Sequence, residues 1–190
     1  MNRRMFSCGV GILLLWTGIV VSDPGAPDVS HKHQSGNFKG IPRDIDYIKN
    51  TGWTQIILQG SRSGDELVAT TKNDHIVRIL LVALMQKHEA MITYDDETNP
   101  KKLTAVSLMS TNRPSPGQVQ MLAINEQDNV YRAKVIDQNQ EVDVWTKSAQ
   151  MQAVLETAMR ESIPVMEFSY DSVSKEITRG KVNVSIQQVK

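Results

Sequence analysis

Trp53, Gln55 and Gln59 share one parity on a predicted strand, where Thr54, Ile56 and Leu58 take the inward positions. An outward indole beside two amides suits a sugar, because the ring's apolar face stacks on the aromatic and its hydroxyls meet the amides. A second cluster follows the same logic: inward Val142 and Val144 turn Asp143 and Trp145 outward, with Arg132 and Lys134 on the outer face of the preceding strand. Both clusters fit a ligand site, and both equally fit a seam between two β units, where tryptophan is common.

Other residue patterns offer less chemistry. The one cysteine, Cys8, lies inside an N-terminal export segment, so no thiol is expected in the processed chain. No Gly-x-Ser-x-Gly or His-Glu-x-x-His spacing is present to supply a serine or zinc centre. Gly60-Ser61-Arg62-Ser63-Gly64 lacks the Gly-Lys-Ser ending of a phosphate-binding loop and reads as a turn. Asp95-Asp96-Glu97 lacks the spaced ligands of a calcium loop and reads as a solvated hairpin. His31 and His33 offer two imidazoles in a leader rich in Pro, Gly and Ser, too few for a firm metal site. His75 and His88 stand at the two ends of a predicted helix, and the helix dipole favours a protonated His88. We therefore expect no enzyme, no cofactor and no metal centre.

The chain of 190 residues balances 21 Lys+Arg against 21 Asp+Glu. It has no basic excess to release counterions from a nucleic-acid backbone, so nucleic acid is not an expected partner. Residues 1–22 read as a secretory signal peptide: Arg3 and Arg4, an apolar run from Gly9 to Val21, then the polar Ser22-Asp23-Pro24. The apolar run falls short of the roughly 20 residues that span a bilayer. Cleavage after Ser22 or after Ala26 both fit, and an uncleaved anchor is the minority reading. Contact with membrane is expected only through this segment, and the destination is the periplasm or the medium of a bacterial-type cell. Residues 23–36 read as a flexible leader. With no cysteine left for a disulfide, stability must come from packing or association.

Beyond the leader the chain repeats itself at an offset of about 75 residues. Thr71-Lys72 falls on Thr146-Lys147, Leu80 on Leu155, Ala83 on Ala158 and Met91 on Met166; a slip of one then sets Tyr94-Asp95 on Tyr170-Asp171. The first copy predicts strands over Phe38–Lys49, Trp53–Gln59 and Glu66–Thr71, a helix over Asp74–His88, and strands over Ala90–Tyr94 and Lys102–Leu108. The second predicts strands over Val119–Glu126, Val130–Ile136 and Val142–Thr146, a helix over Ala149–Ser162, and strands over Val165–Tyr170 and Glu176–Ser185. Residues 113–117, with Pro114 and Pro116, join domain 37–112 to domain 118–190.

Asn73 or Asp74 and Ser148 are the expected helix caps, and Pro164 the stop of the second helix. The second helix has one apolar face, with Gln152, Glu156, Thr157 and Arg160 turned elsewhere. The first is apolar nearly all round. Val77, Leu81 and Met85 then mark a contact between repeats or between chains, or else a wider intramolecular core.

Strand-strand-strand-helix-strand-strand is the order of an OB-fold, so we expect an α+β, mainly β protein of two tandem five-stranded barrels. Residues 71–109 (TKNDHIVRILLVALMQKHEAMITYDDETNPKKLTAVSLM) resemble the second half of the B subunits of bacterial five-B-subunit toxins, the pertussis-like and subtilase-cytotoxin-like ones. Residues 146–184 resemble it less, with Arg179-Gly180 breaking the last strand. The resemblance implies a non-enzymatic glycan binder in a ring of five. Two copies in one chain and no cysteine after processing depart from that family and put the ring in doubt. The expected function is an exported binding module, with a glycan or another exported protein as partner. The alternative is a structural or assembly subunit, homo-oligomeric or paired, that associates through the first helix.

Overall fold

A computed structural model describes residues 35–62 and 64–183. The expected signal peptide, Cys8, His31 and His33 lie outside the described residues. Ten strands and two helices follow in the predicted order: β1 Ser35–Ile48, β2 Trp53–Gly60, β3 Glu66–Thr71, α1 Asp74–Gln86, β4 Ala90–Asp95, β5 Lys101–Met109, β6 Val119–Asn125, β7 Val130–Asp137, β8 Gln140–Thr146, α2 Ala149–Arg160, β9 Met166–Tyr170 and β10 Ile177–Lys181. Ser35 and Gly36, expected in the leader, begin β1 instead, opposite Asp95 and Tyr94 of β4. Among the described residues no helix is long and apolar enough to cross a membrane.

The protein is mainly β. Strands β1 to β5 close a barrel in the order β3-β2-β1-β4-β5, shut by a short parallel pairing of Ala69 and Thr70 with Lys101 and Lys102. That is the strand order of an OB-fold. Alternation along β2 shows why it curls this way: Thr54, Ile56 and Leu58 are buried, while Trp53, Gln55 and Gln59 stay half-buried outside. Leucine and isoleucine side chains from β2, α1, β4 and β5 fill the interior, with Ile76, Ile79 and Leu80 of α1 fully buried.

Only two residues of β3 reach β5, so the rest of the β5 edge is available. β6 takes it, pairing antiparallel from Ala105↔Asn125 to Met109↔Met121, and one sheet runs on through β7 and β8. The two halves therefore share a sheet across residues 113–117 and a single hydrophobic core, where two separate barrels were expected. In the second half β9 and β10 form their own two-stranded ladder. Their contacts with the main sheet include the Trp145↔Glu176 parallel bridge, the Tyr170 hydroxyl donated to Asp137 of β7 at 3.3 Å and, just before β9, the Val165 N–H donated to the Gly117 carbonyl at 2.7 Å. Gly117 has φ +80, and a Cβ there would stand 2.8 Å from the Val165 carbonyl, so only glycine lets these segments approach.

The geometry repeats closely at the helix ends. Thr71 Oγ1 accepts the Asn73 N–H at 3.0 Å, and Thr146 Oγ1 accepts the Ser148 N–H at 3.0 Å; both threonines are buried. Asn73 caps α1 through bonds from His75 and Ile76, and Ser148 caps α2 through Met151. At the other end the His88 N–H reaches Ala83 O at 2.9 Å and the Ile163 N–H reaches Ala158 O at 3.0 Å, after left-handed Lys87 (φ 55) and Ser162 (φ 56). Both helices thus end by one left-handed residue, and in α2 that residue, Ser162, stands two positions before Pro164.

Part of the polar face of α2 turns inward, while Thr157 is half-buried and Arg160 stays exposed. Gln152 and Glu156 are buried, and Arg78 of α1 binds Glu156 Oε2 through Nε at 3.0 Å and Nη2 at 2.8 Å. Tyr131 of β7 donates to Glu156 Oε1 at 3.2 Å, and Gln86 Nε2 donates to Met159 O at 2.6 Å. Burial pushes the Tyr131 phenol well above its ordinary range, and the neighbouring Glu156 carboxylate adds to this.

Candidate functional site

The first half carries an open groove on the outer face of β2 and β3. Trp53 and Gln55 of β2 and Thr70 of β3 form its floor. The turn after β1 supplies one wall with Ile48 and Thr51, and the loop between β4 and β5 supplies the other with Thr98, Asn99 and Pro100. The enclosed volume is about 420 Å³, large enough for one sugar ring with neighbours. In OB-folds this face and the loops after strands one and four take oligosaccharides and oligonucleotides.

Local hydrogen bonds hold both walls. Thr51 Oγ1 donates to Ile48 O at 3.2 Å and accepts the Trp53 N–H at 3.3 Å, which ties the first turn to the start of β2. Thr98 Oγ1 donates to Asp95 O at 3.1 Å and accepts the Lys102 N–H at 2.8 Å, which closes the second loop on itself. Glu97 N–H donates to Asp95 Oδ1 at 3.0 Å, so the three consecutive acids serve as a turn.

Two cations border the groove. Lys72 Nζ sits 4.8 Å from the Trp53 ring centroid, a cation–π contact, and Lys102 pairs with Glu126 of the second half at 2.9 Å. The arrangement offers an aromatic face, the Gln55 and Asn99 amides and an exposed ammonium group. It contains no nucleophile paired with a base.

The remaining predicted residues fall elsewhere. Gln59 lies at the far end of β2, donating to Asp65 O at 3.0 Å, and does not join Trp53 and Gln55. Arg132 and Trp145 are cross-strand partners on β7 and β8, where they border a smaller hollow of about 240 Å³ with Lys147. The Trp145 indole donates to Ser174 O at 2.7 Å and its backbone N–H to Lys175 O, which places it in the seam that draws β10 toward β8. Arg132 binds Asp128, and this bond, aided by the Val130 N–H, holds the Asp128 carboxyl below the usual carboxylate range. Val77 is half-buried, whereas Leu81 and Met85 are exposed on the rim of a groove of about 330 Å³ between α1 and α2.

Thr70, Lys72, Lys102 and the residue 98–100 loop are missing from the residues chosen by strand parity. Thr70 and Lys72 share Trp53's side of the barrel through the β2–β3 ladder, and the second wall comes from a loop far away in sequence. Thr70 stands at the position that Trp145 fills in the repeat. Its small side chain leaves open the space that the larger indole occupies in the second half.

The chain matches no family model, no curated protein and no solved structure.

Proposed function

We propose that the chain is an exported, non-enzymatic binding module of two OB-like units in tandem, the first of which binds a glycan in the Trp53 groove. The observation that carries this reading is Trp53 itself: a half-exposed indole, with an amide beside it, in a groove walled by two hydrogen-bonded turns. The Trp53 backbone is already held by Thr51, so a pyranose stacks on a ring whose strand is fixed in place. Lys72 covers the ring in the free protein and is exposed, so a sugar displaces it at small cost. The repeated turns at an offset of about 75 residues support the tandem reading, with the second unit an opened copy whose groove is filled by Trp145. The resemblance of residues 71–109 to toxin B subunits supports a sugar over other ligands.

The test is a glycan array followed by titration of the best binder. We expect Trp53→Ala and Gln55→Ala to weaken binding by tenfold or more, while Trp145→Phe leaves it unchanged. If no glycan binds, or if Trp53→Ala binds as well as the parent, the glycan reading is overturned.

A structural subunit is the second reading, favoured by Leu81 at 41% and Met85 at 65% exposure on one side of α1. Sedimentation velocity of the parent and of Leu81→Glu separates the two: an oligomer that dissociates on this substitution favours assembly.

A further inference from the structure

Two hollows open on the outer face of the sheet, the Trp53 groove in the first half and the smaller one beside Trp145 in the second, and no carboxylate lines either. Cations do. Lys102 lines the first, Arg132 and Lys147 line the second, and Lys72 lies over the Trp53 ring. The ladders give Lys72 and Lys147 equivalent places. Thr71 pairs with Thr54 and Thr146 with Tyr131, so the lysine that follows each buried threonine stands beside Trp53 in one half and Val130 in the other. Among the described residues neither lysine is paired with a carboxylate.

One turn separates the two hollows. β6 lies between β5 and β7, so Lys102 and Arg132 stand on strands about 10 Å apart. The turn between β6 and β7 carries Glu126, bound to Lys102 at 2.9 Å, and Asp128, bound to Arg132. Both pairs are partly exposed, where an ion pair is worth little and a competing anion can take the place of the carboxylate. Asp46, opposite Gln55 on β1, and Glu176, bridged to Trp145, line neither hollow. A chain whose 21 bases balance 21 acids thus sets four cations against two acids along one strip of its surface. A neutral sugar would use the indole and the amides of the Trp53 groove and leave these charges idle. A chain of acidic sugars uses both, stacking one ring on Trp53 and carrying an anion onward to each cation.

We propose that the ligand of the Trp53 groove is a linear acidic glycan, with a carboxylate or sulfate on successive sugars, that passes over the β6–β7 turn to Arg132 and Lys147. The inference rests on the glycan reading of the Trp53 groove and adds a second subsite to it.

Full-length protein is titrated calorimetrically with a disaccharide and a hexasaccharide of galacturonate, with the same two lengths of carrageenan, whose anions are sulfates, and with neutral cellohexaose. We expect one acidic hexasaccharide to bind at least tenfold more tightly than its disaccharide and than cellohexaose, and to weaken as salt is raised. Which of the two binds identifies the anion. Arg132→Gln/Lys147→Gln should remove the advantage of length and leave the disaccharide unchanged, whereas Lys72→Gln should weaken both, with the circular dichroism spectrum of each variant unchanged. Lys87→Gln, at an exposed lysine after α1 that lines neither hollow, should bind as the parent does. The proposal is overturned if neither acidic hexasaccharide binds, if cellohexaose binds as tightly, if Arg132→Gln/Lys147→Gln keeps the advantage of length, or if Lys87→Gln weakens binding as much. The glycan reading itself falls only if no glycan of an array binds or if Trp53→Ala binds as well as the parent, so the two failures are told apart.

Discussion

Arg78 and Glu156, on the two helices, form a two-bonded ion pair at 3.0 and 2.8 Å that joins the halves of the chain. The carboxylate is buried, the guanidinium is about one-third exposed, and Tyr131 completes the shell of the carboxylate. A pair so placed contributes little beyond its own desolvation cost, yet removing one member leaves a charge without its partner. We expect Arg78→Ala to lower unfolding stability by about 1–3 kcal/mol, discounted for the exposed guanidinium. Arg78→Met/Glu156→Leu, made in a Tyr131→Phe background so that no buried hydroxyl loses its acceptor, should lose less than Arg78→Ala made in that same Tyr131→Phe background. Guanidinium chloride midpoints of these proteins check this.

The raised Tyr131 phenol ties stability to alkaline pH. Its folded pKa lies above the unfolded value of about 10, so the stabilisation is complete below pH 10 and is lost as pH rises toward the folded value. Between those points the unfolded chain ionises while the folded chain keeps its proton. Denaturant midpoints should fall as pH rises above about 10, and Tyr131→Phe should flatten that decline.

Helix caps give a paired comparison within one chain. Asn73 accepts two bonds, at 3.0 and 3.3 Å, and Ser148 accepts one backbone bond at 3.4 Å. Asn73→Ala should therefore cost more than Ser148→Ala, within a range of about 0.5–2 kcal/mol. Thermal unfolding of both variants measures the difference.

Trp53 and Trp145 should respond in opposite ways. Trp145→Ala removes a hydrogen bond and the cover of the β8–β10 seam, and should destabilise by roughly 1–3 kcal/mol. Trp53→Ala, facing an open groove, should cost less than about 1 kcal/mol while abolishing ligand response. Urea titration alongside ligand titration separates the two effects.

Strand order, both helices and the Asn73 and Ser148 caps were legible in the sequence because they depend on local signals: period two, period 3.6 and short-range capping oxygens. The parity of β2 also placed Trp53 and Gln55 together on the outer face. What local signals do not carry is pairing between distant segments. Nothing near Ala105 or Asn125 announces that β5 continues into β6, and the polarity of Glu156 reads as solvent exposure until Arg78, 78 positions earlier, is brought beside it. Gln59 stands apart from Trp53 and Gln55 for a related reason: parity fixes a face but not how far along the strand a groove extends.

β5 divides its length between two tasks, its first residues locking the barrel and its later ones carrying β6. A protease nick at the exposed Arg113–Pro116 connection would consequently not release two independent pieces. Each fragment would keep a row of unsatisfied backbone groups that matches the other, along with half of a common interior, so the cut halves should stay associated and should reassemble when expressed separately.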